Sequence, residues 1–134
     1  MSSGKVIVMA IKPKYAKAIY EGRKKWEFRK KPPRLWTPIY IYESAPVSKI
    51  TGILVFSLAI HGYPDDVYYS AKKTMGRIGT TYKDVFTYAN GDTVSALFVE
   101  HVHKAEHPIV FNGKVPQNWG TYVLTTEEND NGNS

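Results

Sequence analysis

Apolar and polar positions change period several times along the chain, and each change predicts an element. KVIVMAI (5–11) is short, apolar and β-branched, which predicts a strand. Pro13 then suits the first turn of a helix, where a missing N–H costs little. Over PKYAKAIYEG (13–22), Tyr15, Ile19 and either Ala16 or Ala18 form an apolar stripe with lysines between them. Gly22 is placed to end that helix in a left-handed cap. The period then drops to two. In KKWEFR (24–29), Trp26 and Phe28 fall on one side and Lys25, Glu27 and Arg29 on the other.

KPPR (31–34) breaks the pattern, and TPIYIYES (37–44) resumes it, with Ile39 and Ile41 opposite Tyr40 and Tyr42. APVSK reads as a turn. ITGILVFSLAI (50–60) reads as a buried strand in which Gly52 marks a bulge or a close backbone approach. Two helices follow. YPDDVYYSAKKTM (63–75) opens on Pro-Asp-Asp. TTYKDVFTYANG (80–91) has Thr80 or Thr81 as its cap, a stripe of Tyr82, Val85, Phe86 and Ala89, and Asn90-Gly91 as its stop. Residues 92–111 predict one or two strands, and WGTYVLT (119–125) a last one. EENDNGNS (127–134) reads as a disordered polar tail beyond a domain of residues 1–126.

The predicted order is β-α-β-β-β-α-α-β-β. Several strands follow one another directly, so the helices cannot act as regular crossovers. An α+β fold built on a small, mostly antiparallel barrel of about five or six strands, with helices packed around it, fits better than a doubly wound sheet.

Composition narrows the function classes. With 134 residues the chain suits one domain with a real core. No apolar run reaches the ~18 residues of a spanning helix, and no secretory leader is evident. Cysteine is absent, which excludes disulfides, thiol nucleophiles and thiolate metal sites. The expected location is cytoplasmic, and the expected state a monomer. The formal charge of +6 is unevenly spread: residues 1–50 carry 12 Lys and Arg against 3 Glu, while the remainder is net acidic. A basic half suggests an anionic partner, although soluble surfaces also need charge.

The charge concentrates in GRKKWEFRK (22–30). Glu27 and Arg29, two apart on a strand, have roots about 6.5–7 Å apart. The arginine could hold the carboxylate ionised, or bind phosphate itself. Lys24 stands at the helix-to-strand turn, from which its side chain can swing over the strand end. The plainer alternative is a basic edge strand, protected by its lysines from pairing with other chains.

The stretch IKPKYAKAIYEGRKKWEFRK resembles the ASCH domain family of the PUA-like superfamily. The shared features are Ile11-Lys12-Pro13 before the first helix, then Gly22, Lys24, Glu27 and Arg29 in a Gly-x-Lys-x-x-Glu-x-Arg pattern. Ser44 and Gly52 flank the next turn as in that family, and Pro108, Pro116, Gln117 and Trp119 match its closing segments. The likeness spans roughly residues 5–125. It implies a small β-barrel with a basic cleft and a role in binding RNA or a nucleotide-like ligand. Lys12, Lys24, Glu27, Arg29, Tyr42, Ser44 and Trp119 become the expected ligand-binding residues. Some relatives hydrolyse an acylated cytidine with a lysine, a hydroxyl nucleophile three positions on and a distant glutamate. Lys24 matches that lysine, but Glu27 stands where the nucleophile would be. If the protein is an enzyme, either an amidohydrolase on a modified nucleoside or a ribonuclease, Lys24 and Glu27 are the expected catalytic pair. A protein–protein adaptor is a third class. No cofactor and no metal is expected.

Other features weigh less. Tyr42 and Trp119 are placed by the resemblance near the cleft, where an aromatic–base stack is worth about 1–3 kcal/mol. His101, His103 and His107 are too loosely spaced to argue for zinc. KKTMGRIGTTYKD lacks the Gly-Lys-Ser/Thr ending of a phosphate-binding loop.

Overall fold

The computed structural model describes residues 4–124; the tail expected at 127–134 lies outside them. The elements are β1 (Lys5–Ile11), α1 (Pro13–Tyr20), β2 (Trp26–Arg29), β3 (Ile39–Glu43), β4 (Lys49–Gly62), α2 (Pro64–Thr74), α3 (Tyr82–Ala89), β5 (Val94–Ile109) and β6 (Trp119–Val123). This is the predicted order, with 92–111 resolved as one long strand. Caps sit where local chemistry puts them. Thr81 accepts the Asp84 N–H at 3.1 Å, Asn90 closes α3 in the left-handed region, and Gly22 turns the chain out of α1 at φ 77°.

The strands pair in the order β2-β5-β4-β3-β1-β6, with only β1 and β3 parallel. The predicted barrel is not closed: the sheet stays open, with β2 and β6 at its two edges. The reason lies in β2. It has four residues, pairs through its backbone with β5 only, and turns Glu27 and Arg29 inward. Where a ladder would complete a barrel, the Arg29 side chain crosses instead to Ala10 of β1 and to Asn118, just before β6.

Two large cores and a smaller one, of Val8, Tyr42 and Ile50, flank the long strands. Met9, Ile11, Ala16, Ile19, Ile39, Ile41, Leu54, Phe56, Leu97 and Val99 join α1 to the sheet. Trp26, Phe28, Val67, Tyr68, Ala71, Ile78, Val85, Ala89, Val94 and Ala96 seat α2 and α3. The period of two in β2 therefore divides as expected: Trp26 and Phe28 go under the helices, and Glu27 and Arg29 go to the other side. Phe86 departs from the predicted stripe. It is 57% exposed, because α3 meets the core through Val85 and Ala89, with Tyr82 packed at the margin. Gly52 is a close approach as well as a bulge: a β-carbon there would collide with the His103 carbonyl and the Tyr20 ring, and the β4–β5 register shifts beside it.

Tyr20 and Thr51 share a hydrogen bond of 2.7 Å. Burial pushes the Tyr20 hydroxyl up to about 12 from its usual 10.0, against the Thr51 bond and helped by Glu43. The folded state thus keeps a proton that the unfolded chain loses first, and this contribution to stability disappears as pH rises through the folded value. Tyr20→Phe is expected to cost about 1 kcal/mol at neutral pH and to make urea denaturation less sensitive to pH between 10 and 12. An unchanged alkaline limb would remove Tyr20 as its source.

Candidate functional site

A cleft of about 790 Å³ opens between α1, β2, α3 and the segment before β6. Lys12, Lys24, Glu27, Arg29 and Ser44 all line it, together with Lys14, Tyr15, Phe28, Lys83, Thr87 and Tyr88. Its floor is the end of β2. There Lys24, Glu27 and Arg29 are 2%, 6% and 8% exposed, so three charged groups lie together out of water.

Arg29 has all five of its donors engaged. Nε donates to Glu27 Oε2 at 2.9 Å and Nη2 to the same oxygen at 2.5 Å. Nη2 also donates to the Ala10 carbonyl at 2.8 Å, and Nη1 to Asn118 Oδ1 at 2.5 Å and to the Asn118 carbonyl at 3.4 Å. A guanidinium so committed holds Glu27 and ties β2 to β1; it has no donor left for a phosphate. Glu27 Oε2 is saturated by this fork. Its Oε1 has only the Lys24 Nζ at 3.7 Å, so it is the less engaged of the two carboxylate oxygens at the cleft floor.

Lys24 is enclosed by design of the chain around it. Gly22 turns the backbone, and the Lys24 N–H is held by the Ala18 carbonyl at 3.1 Å. Its Nζ donates to the Ile78 carbonyl at 3.2 Å and lies 5.1 Å and 5.7 Å from the Tyr15 and Phe28 ring centroids. Gly79, at φ 72°, lets the loop before α3 lie on the lysine stem, since a β-carbon there would strike Lys24 Cβ and Cγ. Burial pushes the Lys24 ammonium well below its usual range. Arg29 adds to that, while Glu27 opposes it.

The rim is different in kind: Lys12, Lys14 and Lys83 are exposed. Two of the expected residues stand elsewhere. Tyr42 alternates away from Ile41 and packs on Phe111, with ring centroids 5.5 Å apart. Trp119 donates its indole N–H to the Lys31 carbonyl at 2.8 Å and does not line the cleft. Asn118 and the α3 wall were not expected. Lys83 and Thr87, and Asp84 and Tyr88, are each four apart, a helical face that was legible but polar enough to read as solvated. His101, His103 and His107 are exposed along β5. No helix among the described residues is long and apolar enough to cross a membrane.

Known proteins fall in line with this architecture. The family described as the ASCH domain matches residues 9–130. Three solved structures of an ASCH protein from Zymomonas mobilis have a similar fold. Its serine-to-alanine mutant superposes with a TM-score of 0.73 at 24% identity, covering 98% of this chain and 96% of that one. The unmutated protein gives 0.72 at 24%, covering 96% and 93%. A tyrosine-to-phenylalanine mutant gives 0.71 at 22%, covering 93% and 94%. Among curated proteins, none matches the chain.

Proposed function

The chain belongs to the ASCH domain family, and from that premise we propose that its cleft binds single-stranded RNA by taking in one nucleotide. The observation that carries this reading is the split between a cationic rim and a buried, pre-set floor. Exposed Lys12, Lys14 and Lys83 meet phosphate, where each neutralised charge adds a salt-dependent increment of affinity. Glu27 Oε1 accepts an N–H from the base edge, fixed in place by Arg29 through the other oxygen. Lys24 beside it donates to a base carbonyl or ring nitrogen. Tyr15, Phe28 and Tyr88 supply aromatic wall. The volume of about 790 Å³ falls in the range of sites that enclose one small ligand rather than a duplex.

Arg29, which the sequence suggests as a phosphate contact, acts in this reading as a positioning residue. The test follows from that division of labour. Fluorescence anisotropy with a labelled random 20-nucleotide RNA should show binding at moderate salt. The triple variant Lys12→Ala, Lys14→Ala, Lys83→Ala should bind at least tenfold more weakly, and its slope of log affinity against log salt should flatten by about 2. These three side chains are exposed, so the fold is expected to survive. Equal affinity and slope in the triple variant, or no binding by the parent protein, would refute the reading.

A further inference from the structure

We infer that Lys24 is a carbonyl-trapping amine: the cleft takes a phosphate-bearing aldehyde, such as the open-chain sugar of a nucleotide that has lost its base, and joins it to Nζ as an imine. This rests on the same cleft admitting a nucleotide, and adds a covalent step to it.

The buried set has two cations and one carboxylate. The Arg29 guanidinium already holds Glu27 through two bonds, with its remaining donors on Ala10 and Asn118. The surplus positive charge is therefore relieved most readily at Lys24, by release of a proton. The contacts of Nζ agree. Its one hydrogen-bond acceptor is the Ile78 carbonyl, which a neutral amine satisfies as well as an ammonium does. The rest of its surroundings are the Tyr15 and Phe28 rings and Glu27 Oε1 at 3.7 Å. Desolvation beside a second cation is a recognised way to make a lysine nucleophilic at neutral pH, and the lowered Lys24 pKa is in keeping with it. Every other lysine that lines the cleft is exposed to water. Those rim lysines are what select an aldehyde that also carries phosphate.

In the step, the Nζ lone pair attacks the carbonyl carbon and the C=O π pair moves to oxygen, which takes a proton. Glu27 Oε1 accepts the proton that Nζ releases. It returns that proton to the hydroxyl of the carbinolamine, which leaves as water when the C=N bond forms. One neutral amine, one aldehyde and one proton give one protonated imine and one water. Nothing is oxidised or reduced.

The experiment is reductive trapping of the full chain with cyanoborohydride at pH 7. The probes are a single-stranded oligodeoxynucleotide with one abasic site and, separately, glyceraldehyde 3-phosphate. Intact mass and peptide mapping locate the adduct. The expected result is one adduct per chain at Lys24, formed about tenfold or more faster than at the average surface lysine, and absent in Lys24→Arg. Adducts scattered over exposed lysines, or none, overturn the inference; because mapping is done on the parent protein, a variant that fails to fold does not blur the outcome. Trapping by the oligonucleotide alone assigns the aldehyde to nucleic acid, and trapping by the sugar phosphate alone assigns it to a small metabolite. Anisotropy with intact RNA separates the two levels. Binding without trapping removes the amine chemistry and leaves the RNA reading standing. Trapping of the sugar phosphate without RNA binding does the reverse.

Discussion

Replacing Arg29 with methionine is expected to destabilise the fold by about 3–5 kcal/mol, the range for removing one partner of a buried ion pair. Methionine fills much of the same volume, so the loss isolates the guanidinium. Three groups are left short of partners: Glu27 Oε2, the Ala10 carbonyl and Asn118 Oδ1. Each was taken out of water on the understanding, so to speak, that Arg29 would meet it. Urea denaturation followed by tryptophan fluorescence reads the change as a lower midpoint. RNA affinity should fall too, since Glu27 loses its fixed orientation while the rim lysines remain. A midpoint within error of the parent would mean that the sheet edges are held together by something other than this side chain.

The second large effect is a pH dependence with a defined sign. The folded pKa of Lys24 lies below its ordinary 10.5, chiefly through burial. Between those two values the unfolded chain binds more protons than the folded one, so stability rises with pH across that window. The slope from one such group reaches at most about 1.4 kcal/mol per pH unit. Lys24→Met should abolish this rise while retaining the fold, because a thioether matches the lysine stem among Tyr15, Phe28 and Gly79. Denaturation midpoints taken at intervals from neutral pH up to 10 read the rise, and they stay clear of the Tyr20 window above 10. If parent and variant rise in parallel, the dependence belongs to another group.

The elements were legible because their signals are local. Pro13, Thr81, Asn90 and Gly22 each mark a helix end by its own chemistry, and the alternation in WEFR separates Trp26 and Phe28 from Glu27 and Arg29. What the chain does not carry locally is which strand edges meet. The open sheet depends on Arg29 finding an acceptor at Asn118, 89 positions away, and no spacing rule reaches that far. Tyr42 and Trp119 illustrate a second limit. Resemblance locates a segment, but side-chain direction within it follows alternation and hydrogen bonding, which send Tyr42 to Phe111 and the Trp119 indole to Lys31. The α3 wall shows a third: a polar helical face looks the same whether it borders solvent or a cleft, and only the position of β2 across from it decides.

The parallel placement of β1 beside β3 leaves its other edge to β6, so residues 5–9 wait for residues 119–123. During synthesis, Lys24, Glu27 and Arg29 emerge long before Asn118 does. Until then the guanidinium lacks its most distant acceptors, and Glu27 lacks a rigid neighbour. A chain arrested on the ribosome short of residue 118 would have most of its strands and no finished floor, so the buried charge cluster is among the last parts of the fold to be completed.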